Sequence, residues 1–189
     1  MSLRRNRMMK PRRHFLAKTG AAVLVAAGTG SASASESDRA LLFQTLAQAM
    51  GEVKALAQSR SITSHTQWSF PQTLVHAAQS IEYSMTGFPQ PRSALFQHTV
   101  GAAAFAMFDL RGRMFHSLVE PIPGAPAVEA STDLYQAVER LEVAVVRFGA
   151  WNAPLQPHFA YGLLTKSAYE RAHAMHLANH LSAFSGDPL

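Results

Sequence analysis

The sequence contains no cysteine among its 189 residues. This absence excludes disulfide bonds, thiolate metal ligands and a lipid-modified cysteine, so the stability of the fold must come from packing. The sequence also lacks a G-x-S-x-G motif, a phosphate-binding glycine loop and a parallel-strand pattern. Catalysis by a Ser-His-Asp triad and nucleotide-binding folds are therefore without support.

Acidic residues are missing from the first 34 residues, which carry seven of the 17 basic residues of the chain. An apolar run and a cluster of small residues follow the basic start, as they do in a cleavable export signal. The stretch 12–18, Arg-Arg-His-Phe-Leu-Ala-Lys, resembles the twin-arginine export motif with one extra residue before the lysine. We expect residues 1–34 to be a twin-arginine signal peptide that the export machinery recognises through Arg12 and Arg13. An ordinary secretory signal is the alternative, and either would make residues 35–189 a periplasmic protein.

The formal charge changes sign once this segment is set aside. The remaining 155 residues hold ten basic residues and all 12 acidic residues, a net charge of about −2 with neutral histidines. The net charge of +5 of the whole chain thus belongs to the leader, and no nucleic-acid partner is implied. The apolar run of the leader is far shorter than the roughly 20 residues of a membrane-spanning helix, so we expect no stable membrane span. The mature chain has the length of one domain.

Apolar residues recur at helical spacing along most of the mature chain, and no stretch alternates with period two, which predicts an all-α domain. The predicted helices span about residues 38–57, 70–87, 93–110, 132–148 and 166–184. The segment 120–130 holds three prolines and a glycine. This composition predicts a long, stiff connection that could cover a site.

Cap residues and apolar spacing predict how these helices begin and which faces they bury. Ser35 or Ser37 is the predicted N-cap of the first helix, and Ser69 with Gln72 matches a capping box for the second. The third helix is rich in alanine and phenylalanine, which predicts deep burial, and Gly101 leaves its continuity open. The first helix is predicted to face inward with Leu42, Leu46, Ala49, Val53 and Leu56.

Three histidines share a narrow face of the last predicted helix: His173, His176 and His180. Side chains four residues apart on a helix are close enough for two imidazoles to reach one metal ion, and His176 and His180 have this spacing. At least one further ligand would have to come from another helix. Structural histidines in a dry core, hydrogen-bonded to backbone or water, are the alternative.

His76 in the second predicted helix is the candidate third ligand. It lies about 200° around the helix from Leu74, beside Gln79 and Tyr83 and away from the aliphatic stripe. Either this face meets solvent, or the helix packs on both sides and presents His76 to a polar cleft. Periodicity leaves both arrangements open.

Segments 67–76, 159–165 and 176–184 resemble a domain-of-unknown-function family of the DinB-like superfamily of metal-binding four-helix proteins. The resemblance implies an up-down-down-up four-helix bundle. It also implies a divalent metal held by one histidine of the second helix and the H-x-x-x-H pair of the last, which by position fall on His76, His176 and His180. The metal would be zinc, nickel or iron.

The sequence departs from this family at two places in the last helix. Asn179-His180 stands where the family often has adjacent histidines, and Ser182-Ala183 stands where it often has Arg-Gln. Some members of the superfamily lose metal ligands altogether. The fold and the metal are therefore separate predictions.

Three neutral imidazoles would leave a divalent ion its full charge and at least one open position, which is the chemistry of metal-dependent hydrolysis. DinB-like relatives also include thiol-dependent transferases, but an exported protein would seldom meet a reduced cytoplasmic thiol. A non-catalytic exported bundle that binds a small molecule or a partner is the third hypothesis. A homodimer is left open.

No catalytic residue is assigned from the sequence, and no organic cofactor is expected. Glu82 shares the second helix with His76, but it points some 120° away on the helical wheel, which argues against a role as general base. His158 is interpreted as a loop histidine rather than a residue that lines the site. His173 is expected to support the site or the core rather than to bind the metal.

Overall fold

The computed structural model describes residues 39–189. The predicted signal segment 1–34, with its arginine pair, and the predicted cap residues Ser35 and Ser37 lie outside the described residues. Residues 39–189 fold into six α-helices, one of them a single turn, together with a π-helical segment and one two-stranded sheet. None of the helices in this part of the chain combines the length and the apolar character needed to cross a membrane.

Helix α1 spans Leu46–Ala57 and begins later than predicted. It starts with a capping box in which Thr45 and Gln48 bind each other's backbone N–H groups. The predicted start near Asp38 is wrong, because residues 39–45 are not helical. Leu42 was predicted to face inward, but 54% of its surface is exposed. The rest of the predicted stripe is buried: Leu46, Ala49, Val53 and Leu56.

Helix α2 spans Phe70–Thr86 and confirms the predicted capping box. The Ser69 hydroxyl accepts a hydrogen bond from the backbone N–H of Gln72 (3.3 Å), and the Gln72 side chain accepts one from the backbone N–H of Ser69 (2.9 Å). Gly87 ends the helix at φ 106°, a conformation that favours glycine. Twelve of the 17 residues are buried, so α2 is packed on more than one side.

The next helical stretch consists of α3 (Ala94–Phe96), a π-helical segment (Gln97–Gly101) and α4 (Ala102–Arg111). The predicted helix is thus continuous through its glycine but changes its hydrogen-bond pattern there. The prediction of deep burial is wrong, because this stretch packs on the rest of the fold along one side only. Four of its large apolar residues are exposed by 47 to 88%: Leu95, Val100, Met107 and Leu110.

Gly101 allows the π-helical segment to touch a loop of the backbone. A Cβ atom at this position would lie 1.8 Å from the carbonyl oxygen of Ala160. Ala160 lies in a turn that is closed by an isolated bridge between His158 and Gly162. The turn lies so close to the helix that only glycine fits at position 101. This approach places His158 near the core.

Helices α5 (Leu134–Ala150) and α6 (Lys166–Leu181) follow within two residues of their predicted starts. Asp133 caps α5 and Thr165 caps α6, each by accepting a backbone N–H bond in the first turn. The Lys166 ammonium group donates to two carbonyl groups at the C-terminal end of α5. These bonds tie the end of α5 to the start of α6.

A short antiparallel sheet corrects the prediction of an all-α domain. Strand β1 (Ile62–Ser64) pairs with β2 (Phe184–Gly186), with Ile62 opposite Gly186. The last helix consequently ends before Phe184 and not at it. The Ser61 hydroxyl donates to the Asp187 carboxylate at 2.6 Å and extends the pairing beyond the strands.

The core lies among α1, α2, α5 and α6. Helix α2 packs against α5 and α6, and α1 packs against the same two helices. The mostly helical fold is confirmed, while the up-down-down-up order stays a prediction. A second, smaller cluster joins α4 to α6 through Phe105, Met114, Ala168, Ala172 and Met175.

Candidate metal centre

Two histidines of α6 face the inside of the bundle one turn apart. The ring centres of His176 and His180 are 4.6 Å from each other. His180 has 1% of its surface exposed, and His176 is partly buried. The four-residue spacing thus places both rings side by side, as predicted.

His76 of α2 completes a group of three. Its ring centre lies 5.1 Å from that of His176 and 4.9 Å from that of His180. The potential ligand atoms of the three side chains all lie within 4.8 Å of one another, close enough to hold one metal ion. His76 is 3% exposed and Gln79 is 5% exposed, so α2 does pack on both sides and presents this face to the interior.

The three histidines have buried ring nitrogens that satisfy no hydrogen bond within residues 39–189: His76 Nδ1, His176 Nε2 and His180 Nε2. Buried polar atoms without a partner are rare in folded proteins, because desolvation is not compensated. The backbone bonds expected of structural histidines in a dry core are not formed by these atoms in this part of the chain, and His173 Nε2 is likewise without a partner there. In the tautomer that leaves it without a proton, each of the three nitrogens has the lone pair that a metal ion requires.

Burial keeps these imidazoles uncharged at neutral pH. Desolvation, followed by the nearby His116, lowers the pKa of His76 to about 4. Desolvation and the neighbouring histidines hold the pKa of His176 and of His180 well below the usual value. Neutral imidazole is the form that binds metal ions.

Trp68 forms one wall of the histidine group. Its ring lies edge-on to His76 at 5.1 Å and nearly parallel to His180 at 6.5 Å, measured between ring centres. Trp68 lies in the loop that precedes the capping box of α2. The cap and the wall are therefore built by neighbouring residues.

A fourth histidine, His116, was missed by the sequence analysis. Its ring centre lies 4.8 Å from that of His176 and 5.0 Å from that of His180. The residue is exposed. Desolvation lowers the pKa of its imidazole. His116 stands in a loop with no helical spacing to the other three, so the only sequence signal was its residue type.

A cavity of about 170 Å³ opens at the histidine group. The segment predicted to cover a site does form part of its wall, through Glu120, Pro121, Ile122 and Pro123. Gln72 and Gln79 of α2 hold this segment by donating to the carbonyl groups of Val128 and Pro126. An engineered cavity of about 150 Å³ admits benzene, so the space suits a small molecule. The histidines that line it are His76, His116, His158, His173 and His176.

His158 lines this cavity, and its interpretation as a mere loop histidine is wrong. Its Nδ1 accepts backbone N–H bonds from Ala160 (3.1 Å) and Tyr161 (3.2 Å), so its Nε2 carries the proton in the neutral ring. Desolvation, helped by His173 and His116, lowers the pKa of His158 to about 3. The side chain therefore offers an N–H donor, not a lone pair.

His173 was predicted to support the site or the core, and it packs in the core while also lining the cavity. It is 3% exposed, and its ring packs edge-on against Phe148 and nearly parallel to Tyr169. Burial lowers the pKa of His173 to about 3. It supports the face of α6 that carries the other two histidines.

Glu82 is occupied elsewhere, as its position on the wheel predicted. Its two carboxylate oxygens accept bonds from Arg140 of α5 at 3.0 and 2.7 Å. Since Glu82 does not line the cavity, the described residues give it no part in the site.

A family model with the description "Protein of unknown function (DUF1569)" matches residues 35–187. No curated protein and no solved structure matches the chain.

Proposed function

Because the chain belongs to the DUF1569 family of proteins of unknown function, we propose a function from the site itself, namely a divalent-metal protein with hydrolase activity. His76, His176 and His180 would be the ligands. The proposal rests above all on one observation: three imidazoles with unsatisfied buried nitrogens meet beside a cavity that two of them, His76 and His176, line. The ion would be zinc, nickel or iron, since imidazole suits all three.

The chemistry of the donor set supports this choice of ion. Three neutral nitrogens without a carboxylate or thiolate match the ligand type of first-row divalent metals and not of calcium or magnesium, which prefer oxygen. The low pKa values mean that few protons have to leave when the ion binds near pH 7. The two α-helices that carry the ligands fix the distances between them.

The cavity supports hydrolysis of a small substrate. A bound divalent ion would supply Lewis-acid chemistry, polarising an oxygen of the substrate and activating water. His158 would offer an N–H donor to the substrate, because its other nitrogen is held by the backbone. Met114, Ile122 and Phe159 line the cavity with apolar surface that limits the entry of water. Arg92 at the same wall provides a cation for an acidic substrate group.

A non-catalytic exported bundle that binds a small ligand is the second candidate. The observation in its favour is His116, whose position beside His176 and His180 would leave the ion fewer open positions. Thiol-dependent transfer rests on the resemblance alone and ranks below both.

Elemental analysis of the folded protein, purified without a histidine tag, tests the metal. We expect about one equivalent of divalent metal in the native chain and none in the double variant His176→Ala, His180→Ala. The exposed His98→Ala variant is the matched control and should keep the metal. A folded native protein without metal would overturn the proposal. If metal is present, ester, amide and phosphoester substrates with a small acidic group test hydrolysis against a chelator-treated sample.

We further propose that residues 1–34 direct export through the twin-arginine route to the periplasm, and that the helices follow the up-down-down-up order. The arginine pair supports the first point. Replacing Arg12 and Arg13 by lysine should retain the chain in the cytoplasm on cell fractionation, whereas the same change at Arg4 and Arg5 should not. Equal export of both variants would refute the twin-arginine assignment.

A further inference from the structure

His116 is held in a defined orientation although it stands in a loop. Asn179 of α6 donates from its side-chain amide to the backbone carbonyl of His116 at 3.2 Å. Asn179 lies directly before His180, so this bond fastens the loop beside the histidine group. The loop cannot leave this place without breaking it.

The hydrogen bond of the His116 ring selects its tautomer. Nδ1 lies 2.9 Å from the carbonyl oxygen of Ser117. A carbonyl oxygen only accepts, so Nδ1 carries the proton and Nε2 keeps its lone pair. Metal-bound histidines typically donate their second ring nitrogen in this way to a carbonyl group, which fixes the ring and raises its basicity.

Two ring distances of His116, those to His176 and His180, match the distances among the three proposed ligands, whereas His116 is outside the group whose ligand atoms all lie within 4.8 Å of one another. Imidazoles bound to one ion at about 2.0 to 2.1 Å have ring centres about 5 Å apart at tetrahedral angles. The three proposed ligands show separations of 4.6, 4.9 and 5.1 Å. His116 lies 4.8 Å from His176 and 5.0 Å from His180. A side chain that only touched a water molecule on the ion would stand roughly one water diameter, about 2.8 Å, farther out.

We propose that His116 is a fourth ligand of the metal, bound through Nε2 and contributed by the loop between α4 and α5. The inference rests on the proposed metal at His76, His176 and His180. It makes the resting centre a four-imidazole site. Because His116 is on an exposed loop, whereas the other three belong to long packed helices, it is the ligand that a substrate or small-molecule ligand can displace.

The position of the loop would then depend on whether His116 is bound to the ion. When the ion is bound, the loop is tied to α6 twice, by Asn179 and by the ion. When His116 leaves the ion, only the Asn179 bond remains, and the cavity wall that begins at Glu120 is free to shift. Binding of a small molecule and the position of the loop become coupled.

Titration of the metal-free full-length protein with Co²⁺ and Zn²⁺ tests the assignment. The native protein, His116→Ala and His116→Asn are compared by competition with a chelator of known affinity and by the visible absorption of bound Co²⁺. We expect the dissociation constant for Zn²⁺ to rise about 10- to 100-fold in both variants, by analogy with losses on removing outer supports of a metal ligand. We also expect the Co²⁺ spectrum to change in shape, because the ligand set changes. His98→Ala should match the native protein in both.

The outcomes separate this inference from the proposed function. Native protein that binds no metal overturns both. Native protein that binds metal, with His116 variants of equal affinity and spectrum, overturns only the fourth ligand. If the His116 variants lose activity while their metal affinity and Co²⁺ spectrum stay unchanged, His116 acts as a base, and the fourth-ligand inference is again overturned. Asn179→Ala should raise the dissociation constant less than His116→Ala, and thermal melts without metal should show all variants folded.

Discussion

Lowering the pH from 7 to 5 is expected to destabilise the metal-free domain through His173. This side chain is 3% exposed, its Nε2 satisfies no hydrogen bond within residues 39–189, and burial lowers its pKa to about 3. In the unfolded chain the same imidazole has a pKa of about 6.5. Between these two values the unfolded chain binds the proton and the folded domain does not.

The sign and size of the effect follow from this difference. The stabilisation is fully present above pH 6.5 and is lost as the pH falls towards 3, because protons then favour the unfolded chain. Each pH unit within this range costs about 1.4 kcal/mol, so His173 alone should remove about 2 kcal/mol between pH 7 and 5. This loss is a large part of the 5 to 15 kcal/mol that typically stabilises a domain.

Urea unfolding in the presence of a chelator measures the effect. The free energy of unfolding is determined at pH 7 and pH 5 for the native protein, for His173→Leu and for the exposed control His98→Leu. The pH-dependent loss should be smaller by about 2 kcal/mol in His173→Leu than in the other two, whatever the variant costs at pH 7. An identical pH dependence in all three would refute the reasoning that the buried, unpaired imidazole drives the loss.

Three further outcomes are expected. Gly101→Ala should destabilise the domain by about 1 to 3 kcal/mol in urea unfolding, because the new methyl group collides with the carbonyl of Ala160; an unchanged midpoint would contradict the close contact. Ser69→Ala should cost about 1 kcal/mol by removing the cap of α2, whereas Ser69→Asp should retain most of it. Glu82→Gln should lower the free energy of unfolding by at most about 1 kcal/mol, since its bond to Arg140 is partly exposed. If the native protein shows hydrolase activity, the rate of the Glu82→Gln variant should stay within about twofold of the native rate. A larger loss would make Glu82 a candidate base again.

Helices α2 and α6 could be predicted because their signals are local. The Ser69 and Gln72 cap needs only a four-residue stretch of sequence, and the four-residue spacing of His176 and His180 fixes their common face wherever the helix lies. The position of the third histidine, His76, relative to this pair depends on how α2 packs on α6, and no local sequence signal shows that. The assignment of His76 came from the resemblance, since periodicity alone left its face open.

The remaining errors have two causes, competing local signals and contacts between distant residues. Several residues could cap α1: Ser35 or Ser37 was predicted, but Thr45 with Gln48 forms the capping box in the structure. The two strands have three residues each, too few to show alternation, and they pair across most of the chain. His116 lies in a loop that the Asn179 bond holds beside the site, and such a contact gives no periodic pattern in the sequence.

Burial of the α3–α4 stretch was overestimated for a related reason. An apolar sequence predicts a hydrophobic face, but the amount of surface covered depends on how many neighbours are present. Here Phe105 packs on α6, while Leu95 and Leu110 stay exposed. The composition of a segment does not show how many neighbouring elements will pack against it.

The separation of the histidines along the chain has a consequence for the order of assembly. His176 and His180 share one helical turn, whereas His76 precedes them by about 100 residues. Closing a loop of that length in an unfolded chain costs roughly 4 kcal/mol of entropy, while the pair on one helix needs no such closure. If the proposed metal binds, it can meet the pair early, but all three histidines come together only after α2 has docked on α6. High affinity for the ion would then indicate that the fold is complete. A chain in which α2 and α6 fail to pack correctly would bind the metal more weakly.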